Sequence, residues 1–151
     1  MHKAQGKPAP FHSKVAVRFR DCDPAGIVFY PRYLEMFNDL VEDWFRHGLH
    51  LPFSELISAR RWGIPTVHLN VDFGLPSRLG ETIDAWLGVT RVGRSSIHLE
   101  IRLIGPDGSH RVKGRVVLVF TDLNSHRSLE LPEELRAQVN RYMAAVPEGT
   151  A

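Results

Sequence analysis

The sequence predicts an α+β fold: one five-stranded, mostly antiparallel sheet with one long helix lying across it. Three observations predict it. Tyr33, Phe37, Leu40, Val41 and Trp44 recur at helical spacing, with Leu34 and Phe45 widening the apolar stripe. Residues 66–73, TVHLNVDF, alternate strictly between apolar and polar, the pattern of a strand with two unlike faces. Further alternating runs follow as far as residue 121, punctuated by glycine- and proline-containing turns.

Taken in order, the first strand is expected over residues 14–20, KVAVRFR, where Val15, Val17 and Phe19 alternate with basic or small partners. Residues 1–12 read as a flexible leader, with a few basic residues and no apolar stretch for a signal peptide. The long helix begins at Pro31, since a first helical position needs no N–H. It stops at Gly48. A short helical piece over 53–60 leads to Gly63-Ile64-Pro65. Strand 66–73 sets Val67, Leu69, Val71 and Phe73 on one face, with Thr66, His68, Asn70 and Asp72 on the other. Residues 82–92 and 95–104 form a hairpin around Val92-Gly93-Arg94. Pro106-Asp107-Gly108 turns the chain into a last long strand, 110–121. Pro132-Glu133-Glu134 opens a helix to about Met143, its acidic residues well placed in the first turn. One domain, residues 13–143, is expected, followed by a tail over 144–151.

Composition narrows the function. A chain of 151 residues supports one domain with a real core. No apolar run reaches the roughly 18 residues of a membrane span. The single cysteine can make neither an internal disulfide nor a thiolate metal site, so a reducing cytoplasm fits best. The net charge is only +2 and carries no Lys/Arg block, which argues against nucleic acid. It leaves room for a small phosphorylated ligand. Eight histidines fall in no recognised ligand pattern, and no metal is expected. No Gly-x-Ser-x-Gly elbow or Walker-type loop is present.

The stretch DCDPAGIVFYPRY, residues 21–33, carries the chemistry. Cys22 lies between Asp21 and Asp23, whose charges disfavour a thiolate, so it reads as a structural thiol. The two carboxylates admit two readings. A loop aspartate can cap a helix N-terminus. Alternatively, Gly26 allows a close backbone approach that lays Asp23 beside the helix start, with an acyl group held between them. Unpartnered N–H groups at that start can donate to a developing oxyanion.

This motif, followed by an aromatic-rich helix, resembles the signature of the 4-hydroxybenzoyl-CoA thioesterase family, of the hot-dog fold. The similarity covers roughly residues 14–125 and includes the order of elements. It implies an antiparallel sheet wrapped around one central helix. It also implies homodimers or homotetramers with active sites at subunit interfaces, and hydrolysis of acyl-CoA thioesters without a metal or cofactor. Asp23 matches the catalytic carboxylate, acting as nucleophile or general base. Tyr30 matches the position whose backbone N–H polarises the carbonyl, and Asp21 a structural acid. Arg94-Ser95 falls where the family has a basic residue and a serine near the CoA phosphates. His68 and Asn70 are candidates to line the acyl pocket across the dimer interface, and Asp72 is a second acid or an ion-pair partner. Arg111, Lys113 and Arg115 put three cations on one strand face, either solvated or facing phosphate. An aromatic acyl group such as 4-hydroxybenzoyl is the leading substrate. Short aliphatic acyl-CoA is the alternative, and a non-catalytic acyl-CoA-binding protein is a third reading.

Overall fold

The computed structural model describes residues 6–151. β1 (Phe11–Ala16) leads through a single 3-10 turn at Phe19–Asp21 into helix α1 (Pro31–Asp43). The last helical turn widens across Trp44–Gly48, where the Leu49 N–H donates to the Trp44 carbonyl. After a second wide turn at Ser54–Ala59 come β2 (Trp62–Gly63), β3 (Thr66–Phe73) and β4 (Thr82–Val92). Then follow β5 (Ser96–Ile104), β6 (His110–Val119), β7 (Thr121–Asp122) and β8 (Arg127–Ser128). Helix α2 (Glu133–Asn140) is the last regular element.

The main sheet runs β1-β4-β5-β6-β3, antiparallel throughout, and β2, β7 and β8 make a small second ladder. This is the expected α+β hot-dog architecture. α1 crosses the inner face and buries Tyr33, Met36, Phe37, Leu40 and Val41. Each such side chain contributes roughly 1.5–3 kcal/mol of transfer free energy. Phe37 lies directly over Gly114 of β6, where a Cβ would stand 2.5 Å from its ring. The missing side chain lets the helix settle onto the sheet.

Three expectations need correction. The first strand runs from Phe11 to Ala16 rather than over 14–20, pairing Phe11 with Leu87 and Ala16 with Thr82. Phe11 and His12 are therefore strand, not leader; residues 1–5 of that leader lie outside the described residues. Val17 is buried, but Phe19 is 84% exposed, because the chain turns at Arg18 instead of extending to residue 20. The residues read as a tail also pack: the Thr150 carbonyl accepts the His110 N–H at 2.8 Å, and Val146 is buried.

β3 departs from expectation in another way. Leu69, Val71 and Phe73 do face the helix side, opposite Val116, Gly114 and Val112. A bulge between Thr66 and His68 takes Val67 out of that alternation. As an edge strand, β3 leaves Val67, Leu69 and Phe73 between 42% and 61% exposed. The expected apolar face exists, but this chain does not cover it.

Candidate active site

Asp21 and Asp23 hold different places in the loop between β1 and α1. Asp21 is buried, and its carboxylate accepts the Arg18 N–H at 2.8 Å, closing the 3-10 turn. Its carbonyl accepts the Phe29 N–H at 2.9 Å, so it ties the two ends of the loop together. Asp23 sits at the tip, half-buried, inside a turn that Gly26 completes at φ +77°. One carboxylate oxygen accepts the Ala25 N–H at 2.9 Å; the other accepts no hydrogen bond among the described residues. Neither aspartate caps α1. That removes the first of the two sequence readings.

The start of α1 complements this loop. Tyr30 stands just before the helix with helical angles, and Pro31 has no N–H to offer. The Arg32 and Tyr33 amides donate to the carbonyls of Phe29 and Tyr30, at 2.9 and 3.1 Å. The Tyr30 N–H has no acceptor among the described residues. One amide without an acceptor and one free carboxylate oxygen thus belong to the same short loop. The Tyr30 ring is 61% exposed and meets the edge of Phe73, their centroids 6.2 Å apart. Cys22 is a bystander: burial first, then Asp21 and Asp23, pushes its thiol pKa up, keeping it protonated.

The segment 75–81 forms the bed beneath this loop. The Val28 N–H donates to the Ser77 carbonyl at 2.9 Å, and the Leu79 N–H to the Gly26 carbonyl at 3.0 Å. The Ser77 N–H reaches the Tyr33 hydroxyl at 3.3 Å. One segment therefore touches both the Asp23 loop and the first turn of α1.

The other candidates lie elsewhere in the protomer. His68 and Asn70 pair with Val117 and Arg115 and point to the outer face of the sheet, away from α1. Asp72 shares that face, opposite Lys113. Arg94 and Ser95 lie in the β4–β5 turn, at the opposite end of the sheet from the Asp23 loop. β5 spans nine residues, so that separation is on the order of 30 Å. Arg94 is exposed and makes no ion pair among the described residues, while its carbonyl accepts from Leu131 and Arg136. Of the expected cation triplet, Arg115 is exposed and Lys113 partly so. Arg111 is buried against Glu81 and Asp107 and offers no charge to phosphate.

One feature escaped the sequence reading. A cavity of about 620 Å³ lies between α1 and the β3–β6 edge of the sheet. Its walls include Leu34, Phe37, Asn38, Glu42, Phe53 and Leu69. The signal was present: Leu34, Asn38 and Glu42 recur every four residues, on a helical row beside the core stripe. The cavity starts one turn beyond Tyr30, within the size range of small-molecule sites. Among the described residues no group of three or more His, Cys, Asp or Glu is placed to hold a metal ion. No helix among them is long and apolar enough to cross a membrane.

Comparison with known proteins agrees with this architecture. The family model of the thioesterase-like superfamily matches residues 17–139, and the chain belongs to that superfamily. Among relatives, a 1,4-dihydroxy-2-naphthoyl-CoA hydrolase of Synechocystis is 31% identical over 75 residues. That alignment spans 50% of this chain and 54% of the hydrolase. A thioesterase-superfamily structure from Jannaschia superposes with a TM-score of 0.82 at 26% identity, covering 96% of this chain and all of that one. A gentisyl-coenzyme A thioesterase superposes at 0.74 with 25% identity, over 86% of this chain and 98% of its own.

Proposed function

We propose that this protein hydrolyses an acyl-CoA thioester to the free acid and CoA. The observation that carries the reading is the pairing of Asp23, with one free carboxylate oxygen, and the unpartnered Tyr30 N–H on one loop. A thioester carbonyl held between them receives the amide hydrogen bond on its oxygen as negative charge develops there. Asp23 then acts by one of two routes. It adds to the carbonyl carbon, expelling CoA thiolate and leaving a mixed anhydride that water cleaves. Or it takes a proton from water as that water attacks, and the tetrahedral intermediate collapses with loss of the thiolate. Both give one acid and one thiol. Single turnover in H₂¹⁸O separates them, because only the anhydride route can leave the acid's first new oxygen unlabelled.

The acyl group is proposed to be aromatic, with 4-hydroxybenzoyl as the first candidate. The cavity along α1 supports this: its walls are mainly apolar and include Phe37 and Phe53, with Asn38, Glu42 and Thr66 as polar points. The dihydroxynaphthoyl group in the name of the Synechocystis relative is aromatic and hydroxylated.

The active unit is proposed to be a dimer built on the β3 edge. Antiparallel pairing of two β3 strands sets the Phe73 end of one copy beside the Thr66 end of the other. The Asp23 loop of one copy then lies at the Arg94 end of its neighbour, where Arg94 and Ser95 can serve CoA phosphates. The same pairing covers the exposed apolar face of β3.

The test is release of CoA thiol from 4-hydroxybenzoyl-, benzoyl-, acetyl- and hexanoyl-CoA. Aromatic thioesters are expected to turn over fastest, and Asp23→Asn to lower kcat at least about a hundredfold with the fold intact. A preference for acetyl- or hexanoyl-CoA replaces the aromatic reading with the short aliphatic one. Near-wild-type turnover by Asp23→Asn overturns the mechanism.

A further inference from the structure

We propose that Arg111 is a positioning residue for the hydrolysis described above, a clamp that sets Asp23 relative to the Tyr30 amide through the 75–81 segment. The inference rests on that functional reading, but its structural half can be measured without it.

Arg111 is 4% exposed, at the start of β6. Its Nη1 donates to Glu81 Oε1 at 2.7 Å, to the Pro76 carbonyl at 3.2 Å and to Ser77 Oγ at 3.3 Å. Nη2 donates to Glu81 Oε2 at 3.1 Å and to Asp107 Oδ1 at 3.2 Å, and Nε to Ser109 Oγ at 2.8 Å. Every N–H-bearing nitrogen of the guanidinium is engaged. The planar fork thus joins two segments, 76–81 and 107–109, to β6. Gly105 closes the other side, its backbone against the guanidinium where any side chain would collide with it.

The path from Arg111 to the reacting groups is short. Glu81 Oε1 also accepts the Arg78 N–H at 2.6 Å, which shapes the turn. The Ser77 carbonyl and the Leu79 amide then bond Val28 and Gly26; Gly26 closes the Asp23 turn, and Val28 is the second residue after it. The Ser77 amide bonds Tyr33, one turn into α1. Arg111 therefore makes no hydrogen bond to Asp23 or Tyr30, yet it holds the segment that bonds Gly26 and Val28 of the Asp23 loop and Tyr33 of α1. A buried guanidinium of this kind suits the task because lysine cannot imitate it. Its ammonium donates from one point and cannot span Glu81, Ser77 and Ser109 together. Displacing a reacting group by about 1 Å can cost on the order of a hundredfold in rate, so a loosened clamp should appear in kcat.

The test compares wild type with Arg111→Lys and Glu81→Gln. The second variant keeps Asp107 beside Arg111 and so leaves no buried cation without a counter-charge. Thiol-release kinetics and amide hydrogen exchange are measured on each. A clamp predicts kcat lower by about tenfold or more with KM changed by less than about threefold, since substrate contacts remain. It also predicts faster exchange confined to residues 22–30, 75–81 and 105–111, with 97–103 in β5 unchanged. Wild-type kcat in both folded variants overturns the inference. So does exchange that quickens equally in β5, which would mark Arg111 as general ballast. Should wild type hydrolyse none of the thioesters, the functional reading falls, and the exchange pattern alone decides whether the clamp exists.

Discussion

Gly114→Ala tests the seat of α1 on the sheet. Gly114 pairs with Val71 on one side and Ile101 on the other, in mid-sheet, so its backbone cannot retreat. An added Cβ stands 2.5 Å from Phe37 Cε2 and 2.7 Å from Cζ. Carbon atoms pack comfortably at about 3.5–4.0 Å, so the ring or the helix must move by roughly 1 Å. Phe37 is 3% exposed, and its one open side is the α1 cavity, so the ring can move only by filling part of that space. Overpacking of this kind costs about 1–3 kcal/mol. Removing a glycine stiffens the unfolded chain and offsets about 0.4–1 kcal/mol of that. The net expectation is a loss of about 1–2 kcal/mol. At about 2–4 °C per kcal/mol for a chain of this size, Tm should fall by about 2–8 °C. Phe37→Leu shortens the side chain over residue 114, so Gly114→Ala should cost much less in that background. A coupling of at least about 0.5 kcal/mol in the double-mutant cycle is expected from denaturant unfolding. A Gly114→Ala variant as stable as wild type, or a strictly additive cycle, would refute the argument that this glycine seats the helix.

Two further predictions follow from the same structure. When folded, Asp107 titrates at about 2 rather than 3.8, chiefly through its bonds from Ser109 and then from Arg111, and Arg111 likewise lowers Glu81. Because these folded values lie below the unfolded ones, their stabilising effect is complete only above about pH 5 and is lost as pH falls through the unfolded values toward about 2. Glu81→Gln should therefore flatten that part of the acid-unfolding curve followed by circular dichroism, and an unchanged curve contradicts the assignment. Val67→Lys together with Leu69→Lys places charge on the exposed edge of β3 and should halve the mass seen by light scattering. A wild-type monomer, or a double variant that stays dimeric, rules out that edge as the contact.

How much of this was legible in the sequence depended on how far apart the contributing residues lie. β3 and β4 match the ranges read from alternation, and β5 starts one residue later, because period-2 patterns and glycine turns are local properties. α1 begins at Pro31 for the same local reason. β1 was misplaced because its end is fixed by a carboxylate: Asp21 captures the Arg18 amide and bends the chain before Phe19, overriding an alternation that ran on to residue 20. Asp23 and Tyr30 were proposed together because one motif of eight residues, 23–30, holds both. The α1 cavity was missed because its walls come from residues between 34 and 118.

Arg111 shows the limit most sharply. Within HRVKGRV, residues 110–116, it looks like one more cation on an alternating strand. Its burial comes from Glu81, thirty residues earlier, folding back over the strand. Sheet polarity sets a similar limit for Arg94. Strand length alone says that Arg94 and Asp23 occupy loops, but only the order β1-β4-β5-β6-β3 shows that those loops sit at opposite ends. A site that needs both residues therefore needs a second copy. The exposed edge where that copy would join, β3, carries the apolar face read from the alternation of residues 66–73, which one chain leaves partly open. The exposed β3 edge and the separation of Arg94 from Asp23 are the two observations on which the proposed dimer rests.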